Sequence, residues 1–109
     1  MTDVVLPAPI DALVRAINGG DTEALMAVFA PGAVVDDWGS RYESPAQIRA
    51  WNDRELIGAK GTLTVRSAEH HGNRVTLVTD WKSSFFTGPG RFEFTLENGK
   101  IKRWRISEL

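Results

Sequence analysis

Apolar residues near the start of the chain recur every three or four positions, which is the spacing of one face of a helix. They are Ile10, Leu13, Val14 and Ile17. Pro9 suits the first turn, and the Asn-Gly-Gly run at 18–20 ends the helix. Asp21 is then the expected N-cap of a second helix over residues 22–30. The pattern therefore predicts two consecutive helices.

A short β-type run over residues 33–38 follows, and a third helix begins soon after it. Ser44 followed by Pro45 is typical of a helix start, because a serine side chain caps free amide groups and proline fits the first helical position. The helix is predicted to reach Ile57, with Gly58 just beyond its end.

The remainder of the chain alternates apolar and polar residues, which is the period of a strand with one buried face. Four strands are predicted, over residues 62–70, 74–86, 92–97 and 100–107, with turns at 71–73, 88–90 and 98–99. The second strand is longer than is typical, which predicts a bend or bulge. Helices followed by a strand meander indicate an α+β fold, ordered α-α-β-α-β-β-β-β, with an antiparallel sheet that the helices cover on one face.

Composition limits the chemistry that is open to the chain. Its 109 residues fit a single domain over 1–109, and the absence of cysteine excludes disulfides, thiolate nucleophiles and cysteine-bound metals. The sequence has no nucleotide-binding glycine loop and no histidine–carboxylate metal spacing, so neither a cofactor nor a metal is expected. It also lacks a signal-peptide pattern and any apolar run of about 20 residues, which favours a cytoplasmic protein with no membrane partner.

Charge is uneven along the chain, although its formal net value is -1. Residues 1–58 hold four Lys and Arg against nine Asp and Glu, whereas residues 59–109 hold nine against five. Such asymmetry can mark a nucleic-acid surface, but the basic residues here mostly alternate with apolar ones, as on the solvated side of strands. A nucleic-acid partner is therefore not expected.

Two segments resemble the NTF2-like superfamily, which includes ketosteroid isomerases and SnoaL-like polyketide cyclases. Residues 16–38 read AINGGDTEALMAVFAPGAVVDDW, and residues 44–51 read SPAQIRAW. The first segment follows the family pattern of a helix ending in Asn-x-Gly-Asp, a helix ending in an aromatic residue, and a short acidic strand. The second follows the family's third helix, which begins near a Gly or Ser-Pro and contains Ile-Arg-x-aromatic.

The resemblance implies a cone-shaped, strongly bent sheet of the cystatin-like or NTF2-like type, wrapped around three N-terminal helices. The open end of the cone is a pocket in this family. Many members dimerise through the outer face of the sheet, so a homodimer is expected here. The family's activities are diverse, and function must therefore be argued from the pocket residues.

Asp36 and Asp37 are the first candidates for catalysis, and only one of them can point inward, because neighbouring strand residues face opposite sides. The apolar residues Ala33 and Val35 lie on the same side of the strand as Asp37, which favours Asp37 as the inward residue. Trp38 lies on the same side as Asp36, which favours Asp36, so the pattern leaves the choice open. The resemblance supports Asp37, which lies where ketosteroid isomerases carry their general base. A carboxylate in an apolar cavity has a raised pKa and can move protons. The alternative is that Asp37 caps a turn or pairs with an arginine.

Glu55 is the second candidate, because it shares one face of the third helix with three other residues. That face carries Ile48, Trp51, Asn52 and Glu55. If it lines the cone, Asp37 and Glu55 form a carboxylate pair, with Asn52 between them. The alternative is an exposed glutamate at a helix end, paired with Lys60 or Arg54.

Aromatic residues are numerous for a chain of this length, with four tryptophans, five phenylalanines and one tyrosine. The rings predicted to line one cavity are Phe29, Trp51, Trp81, Phe85, Phe94 and Trp104. Such walls suit a small hydrophobic or cyclic ligand. The alternative is that the same rings simply fill the core.

The oxyanion donors of ketosteroid isomerases are not matched in this sequence. The resemblance puts Leu13 where those enzymes have a donor tyrosine, and Gly90 or Arg91 where they have a protonated acid. Arg91 could stabilise an oxyanion only if it points inward. Two functions stay open: a cofactor-independent isomerase, cyclase, dehydratase or hydrolase that uses Asp37 with Glu55, or a non-catalytic ligand-binding or dimeric assembly module.

Overall fold

Three helices and a six-stranded sheet make up the structure, a computed structural model that describes residues 4–109. The helices are α1 (Ala8–Gly19), α2 (Thr22–Ala27) and α3 (Pro45–Glu55), and a 3-10 turn follows at Ile57–Ala59. The strands are β1 (Phe29–Asp37), β2 (Ser40–Tyr42), β3 (Thr62–His71), β4 (Arg74–Lys82), β5 (Thr87–Glu97) and β6 (Lys100–Ser107). None of the helices in the described residues is long and apolar enough to cross a membrane.

The sheet is curved and open, with the strand order β2-β1-β6-β5-β4-β3. Every pairing is antiparallel except that of β1 with β6, which is parallel and sets Asp37 beside Ile106. The predicted α+β, NTF2-like fold is confirmed, but its sheet is mixed. A parallel pair requires a long crossover connection, and here that connection runs from β2 through β5.

Large rings and aliphatic side chains fill the space between the helices and the sheet. The buried face of α1 carries Ile10, Leu13, Ala16 and Ile17, which follows the predicted helical spacing. Trp51 of α3 and Trp104 of β6 are fully buried, and their rings meet edge to face with centroids 5.4 Å apart. Phe92 and Phe94 pack around Trp104 at centroid distances of 5.2 and 5.6 Å. These four rings form the aromatic core.

The second helix ends at Ala27, before the predicted end at residue 30. The backbone N–H of Ile101 donates to the carbonyl of Val28 at 2.8 Å, and Phe29 pairs with Ile101 in the sheet. Pairing with β6 therefore draws the start of β1 out of the helix. The prediction failed here because a long-range partner decides the conformation of this segment.

Residues 88–90 lie within β5, so the turn predicted there is wrong. The chain turns earlier, at 83–86, where the Ser83 hydroxyl accepts hydrogen bonds from the backbone N–H groups of Phe85 and Phe86. Pro89 is tolerated in the strand because β6 pairs with β5 only from Arg91 onward, which leaves this end of β5 comparable to an edge strand.

Two further boundaries differ from the prediction. The short strand β2 was not predicted, since its three residues are defined only by pairing with β1. Helix α3 ends at Glu55 rather than at residue 57. The side-chain oxygen of Asn52 accepts the backbone N–H of Ile57 at 3.3 Å, and the chain tightens into the 3-10 turn.

Candidate functional site

A cavity of about 490 Å³ opens where the β1–β2 turn, the end of α3 and the 83–86 loop meet. Its lining residues are Asp37, Trp38, Arg54, Glu55, Ala59, Trp81, Ser83, Phe85 and Phe86. We name it the Asp37 cavity. Its volume lies within the range of about 300–1,000 Å³ that is usual for small-molecule sites.

Asp37 reaches this cavity from the inner face of β1, which it shares with the buried residue Val35. The indole N–H of Trp51 donates a hydrogen bond to Oδ2 of Asp37 at 3.0 Å. Within residues 4–109, the other carboxylate oxygen, Oδ1, receives no hydrogen bond. Asp37 is thus held in place from the core side.

Partial burial raises the pKa of Asp37 above its ordinary value, because a desolvated carboxylate resists ionisation. The hydrogen bond from Trp51 acts in the opposite direction and lowers this pKa, and the nearby carboxylates of Glu55 and Asp36 raise it. The net direction is upward, which favours proton transfer at a pH closer to neutrality.

Asp36 faces away from the cavity, on the outer side of the sheet, where its backbone is in register with Arg105 of β6. Its Oδ1 accepts the backbone N–H of Gly39 at 2.9 Å and so closes the β1–β2 turn. The turn-capping role that was considered for Asp37 thus belongs to Asp36.

Glu55 lines the same cavity as Asp37. Its Oε2 accepts a hydrogen bond from the guanidinium of Arg54 at 3.1 Å and another from the hydroxyl of Tyr42 at 3.4 Å. The hydrogen bond with Glu55 raises the pKa of Arg54 above its ordinary value. Glu55 therefore shares a cavity with Asp37 and is also paired with Arg54, and its role as a supporting carboxylate stays a prediction.

Asn52 does not lie between the two carboxylates. It is completely buried, and its amide nitrogen donates to the hydroxyl of Thr22 at 3.1 Å and to Asp53 at 3.2 Å. Since Thr22 begins α2, Asn52 ties α2 to α3. Its position is structural, away from the lining of the Asp37 cavity.

The predicted aromatic wall divides into rings that line the cavity and rings that do not. Trp81 and Phe85 line it. Trp51 lies behind Asp37, and Phe94 and Trp104 belong to the aromatic core. Phe29 stacks against Trp104 at 6.5 Å and faces a separate cavity of about 220 Å³.

Trp38 and Phe86 line the Asp37 cavity, although the sequence reasoning did not select them. With Phe85, they form what we call the aromatic mouth. Trp38 occupies the tight β1–β2 turn with a φ of 54°, and Phe86 packs over Gly88. The sequence signal was present: a tryptophan before glycine directly after Asp37, and a Phe-Phe pair in a serine-rich loop.

Trp81 is held in place by a close backbone approach. A Cβ atom on Gly61 would lie 2.5 Å from the Trp81 ring, so only glycine allows the ring to pack there. This packing fixes one wall of the Asp37 cavity.

Arg91 lies on the outer face of the sheet, opposite the Asp37 cavity. Its neighbour along β5, Phe92, is buried on the inner face, and Arg91 lines an outer groove with Ser67 and Val78. The strand alternation therefore excludes an oxyanion role for Arg91 in this cavity. Among residues 4–109, His, Asp and Glu side chains form no group of three that could hold a metal ion.

Residues 10–104 match the family model for the SnoaL-like domain. A comparison with curated proteins finds no match. A Sinorhizobium meliloti protein with a provisional assignment as a polyketide cyclase is similar in structure, with 25% identity and a TM-score of 0.85, over 94% of this chain and 95% of that one.

Two mycobacterial structures share the fold at lower sequence identity. The Δ5-3-ketosteroid isomerase of Mycobacterium sp. is 19% identical with a TM-score of 0.84, and the match covers 96% of this chain and 95% of that one. A Mycobacterium tuberculosis protein in complex with estradiol-17beta-hemisuccinate is 19% identical with a TM-score of 0.81, and the match covers 90% and 88%.

Proposed function

The chain belongs to the SnoaL-like domain family, and from that premise we propose that the Asp37 cavity binds a small hydrophobic or cyclic molecule and that Asp37 acts there as a general acid–base group. One observation carries the proposal: a half-buried carboxylate with a raised pKa lines an aromatic cavity and is oriented by the indole of Trp51. The steroid-derived compound bound by the Mycobacterium tuberculosis protein supports the proposed class of ligand.

The proposed chemistry needs only proton transfer. Ionised Asp37 removes a proton from a C–H or O–H group of the ligand at Oδ1, and the resulting carboxylic acid returns a proton at a second position. In a cofactor-independent isomerase this sequence is the whole reaction. In a cyclase the carbon that loses its proton forms the new carbon–carbon bond, and in a dehydratase the returned proton leaves with the hydroxyl group as water. In a hydrolase the proton is instead taken from an attacking water and returned to the leaving group. Glu55 assists as a second carboxylate, because its charge raises the pKa of Asp37.

The test compares Asp37→Asn with Asp36→Asn, which removes the same charge on the other face of the sheet. A panel of hydrophobic cyclic compounds is screened by quenching of tryptophan fluorescence, and each binder is followed for conversion by mass spectrometry. For uncharged members of the panel, we expect Asp37→Asn to keep binding and to lose about 10²–10⁴-fold in turnover. Asp36→Asn is expected to keep binding and to change turnover far less, because Asp36 lies on the other face of the sheet and acts only through the pKa of Asp37. Turnover that survives Asp37→Asn would refute the catalytic role.

A non-catalytic ligand-binding module is the second candidate. It is favoured by the positions of two residues: Leu13 is fully buried in the core and Arg91 lies on the outer face, so neither supplies an oxyanion donor to the cavity. Under this proposal, bound compounds would be recovered unchanged after prolonged incubation, and Asp37→Asn would alter only their affinity.

We also propose a homodimer formed through the outer face of the sheet. Along one cross-strand row of this face, Glu69, Thr76, Glu93 and Arg105 are neighbours, so both signs of charge are available for contact with a second copy. Sedimentation equilibrium at micromolar concentration is expected to show twice the mass of the 12.1 kDa chain. A species of single-chain mass alone would exclude the dimer at that concentration.

A cytoplasmic location remains part of the proposal. It rests on the sequence pattern described above. Fractionation of the native cells, with detection by a specific antibody, tests it, and recovery outside the cytoplasmic fraction would contradict it.

A further inference from the structure

Exposed rings are concentrated at one place in the molecule. The large apolar side chains that are exposed within residues 4–109 are Val5, Trp38, Phe85, Phe86 and Leu109. The first and last lie near the chain ends, whereas the aromatic mouth, with exposed fractions of 59%, 79% and 53%, lines the Asp37 cavity. Two separate segments supply these rings, and Trp81 adds a fourth aromatic surface from the sheet.

The backbone at Trp38 gives a second indication that this surface serves a ligand. A φ of 54° is unfavourable for a bulky residue, and such a conformation costs on the order of 1 kcal/mol. Asparagine or glycine would suit this turn better. Because the Trp38 side chain is mostly exposed, packing within the chain does not account for the choice. Strain of this kind concentrates at functional sites.

Charge then restricts what the ligand can be. The charged residues that line the cavity are Asp37, Arg54 and Glu55. Arg54 and Glu55 are hydrogen-bonded to each other and offset one another's charge. Asp37 receives a hydrogen bond from the neutral indole of Trp51, and no basic side chain within residues 4–109 forms an ion pair with it. An anionic ligand group would meet two carboxylates and a single guanidinium that is already engaged.

We propose that the ligand of the Asp37 cavity carries a cationic nitrogen, an ammonium or quaternary ammonium group attached to an apolar ring. The nitrogen is held between the carboxylate of Asp37 and the aromatic surfaces of Trp38, Trp81, Phe85 and Phe86. The faces of aromatic rings attract cations, and an aromatic cage next to a carboxylate is a known way to bind such groups. This inference rests on the proposed ligand-binding function, and it names the class of ligand.

Two probes of equal shape isolate the contribution of the charge. Benzyltrimethylammonium and neopentylbenzene have the same arrangement of heavy atoms and differ by a positive nitrogen in place of a carbon. Binding is measured by quenching of tryptophan fluorescence and by calorimetry, since Trp38 and Trp81 both line the cavity. We expect the cation to bind at least about tenfold more tightly than the hydrocarbon.

Matched variants locate the effect. Asp37→Asn is expected to reduce the preference for the cation to about twofold or less, because it removes the charge and keeps the shape. Asp36→Asn is expected to change the preference far less, since Asp36 faces the outer side of the sheet and acts on the cavity only at a distance. A preference that is lost equally in both variants would overturn the assignment to this cavity.

The remaining outcomes separate this inference from the proposed function. Equal affinity for the two probes overturns the cationic ligand and leaves a hydrophobic cavity that binds small molecules. If neither probe binds to the folded wild-type protein, both the inference and the ligand-binding function fail in this form.

Discussion

The aromatic core and the aromatic mouth are built from the same residue types and have opposite environments. In the core, Trp51 and Trp104 are completely buried and touch ring to ring. In the mouth, Trp38 and Phe85 are mostly exposed, in turns rather than in paired strands or helices. Burial of a large ring contributes to folding, whereas an exposed ring costs solubility unless it meets a ligand or partner. The comparison assigns stability to the aromatic core and is consistent with the ligand recognition that we propose for the aromatic mouth.

Asp37 lies at the junction of the two groups. Its Oδ2 is held by Trp51 of the core, and the residue lines the cavity that the mouth surrounds. A rigid core can therefore orient a carboxylate whose other side meets a ligand. A side chain supported by a packed inner layer is what precise positioning requires, and this is the arrangement of the carboxylate for which we propose a catalytic role.

The strongest test of the comparison removes one ring from each group. Trp104→Ala is expected to lower the free energy of unfolding by about 3–5 kcal/mol, because it leaves a cavity among buried rings. Phe85→Ala is expected to change it by about 0.5 kcal/mol or less. Urea unfolding followed by circular dichroism measures both. A comparable loss from Phe85→Ala would show that the mouth also holds the fold together.

Trp104→Phe supplies a graded control in case the alanine variant does not fold. Within residues 4–109, Nε1 of Trp104 has no hydrogen-bond partner, so phenylalanine loses packing and no hydrogen bond. Its destabilisation should be smaller than that of the alanine variant.

The junction is tested by Trp51→Phe, which removes the donor to Asp37. We expect a loss of about 1.5–3 kcal/mol in the free energy of unfolding, the usual contribution of a hydrogen bond to a charged group. The pKa of Asp37 is expected to rise further, because this hydrogen bond lowers it in the wild type. Carbon-13 NMR titration of the carboxyl group measures the shift. Trp81→Phe is the control. An unchanged pKa of Asp37 in Trp51→Phe would show that Trp51 does not position this carboxylate.

The mouth is tested by Trp38→Asn, which should separate stability from binding. Asparagine tolerates a positive φ, so we expect a gain of about 0.5–1 kcal/mol in the free energy of unfolding. Affinity for benzyltrimethylammonium is expected to fall by about tenfold, because one aromatic surface is lost. A variant that is more stable and binds equally well would show that Trp38 is not part of the ligand site.

The smallest effect is expected from Asp37→Asn on stability. The folded-state pKa of Asp37 is raised, so ionised Asp37 destabilises the fold at neutral pH, and this cost disappears as the pH falls through that pKa. The asparagine variant should be about 0.5 kcal/mol more stable than wild type at neutral pH, with the difference vanishing in acid. Unfolding free energies of wild type and Asp37→Asn over a pH series measure it. A less stable variant at neutral pH would contradict the sign.

Local signals in the sequence were sufficient for much of the fold. The spacing of Ile10, Leu13 and Ile17 located α1, and Ser44 followed by Pro45 located the start of α3. The Asn-Gly pair at 98–99 gave the β5–β6 turn, where both residues have positive φ. These features depend on residues close in sequence, which is why they could be predicted.

Long-range pairing decided the features that were missed. The Gly-Pro-Gly run at 88–90 is typical of a turn, yet it pairs with β4 because the chain has already turned at 83–86. That shift moved Phe86 from a predicted strand to the mouth of the cavity. Asn52 shared a helix face with Glu55, but its hydrogen bond to Thr22 depends on how α2 and α3 pack.

The parallel pairing of β1 with β6 affects the order in which the Asp37 cavity can form during folding. Asp37 lies next to Ile106, which is 69 positions later in the chain, so its strand cannot take its final place until β6 exists. During synthesis, β3, β4 and β5 can form a meander before β6 has been made, and Asp37 reaches its position beside Ile106 only afterwards. Three of the six strands can therefore pair before Asp37 reaches its place beside Ile106.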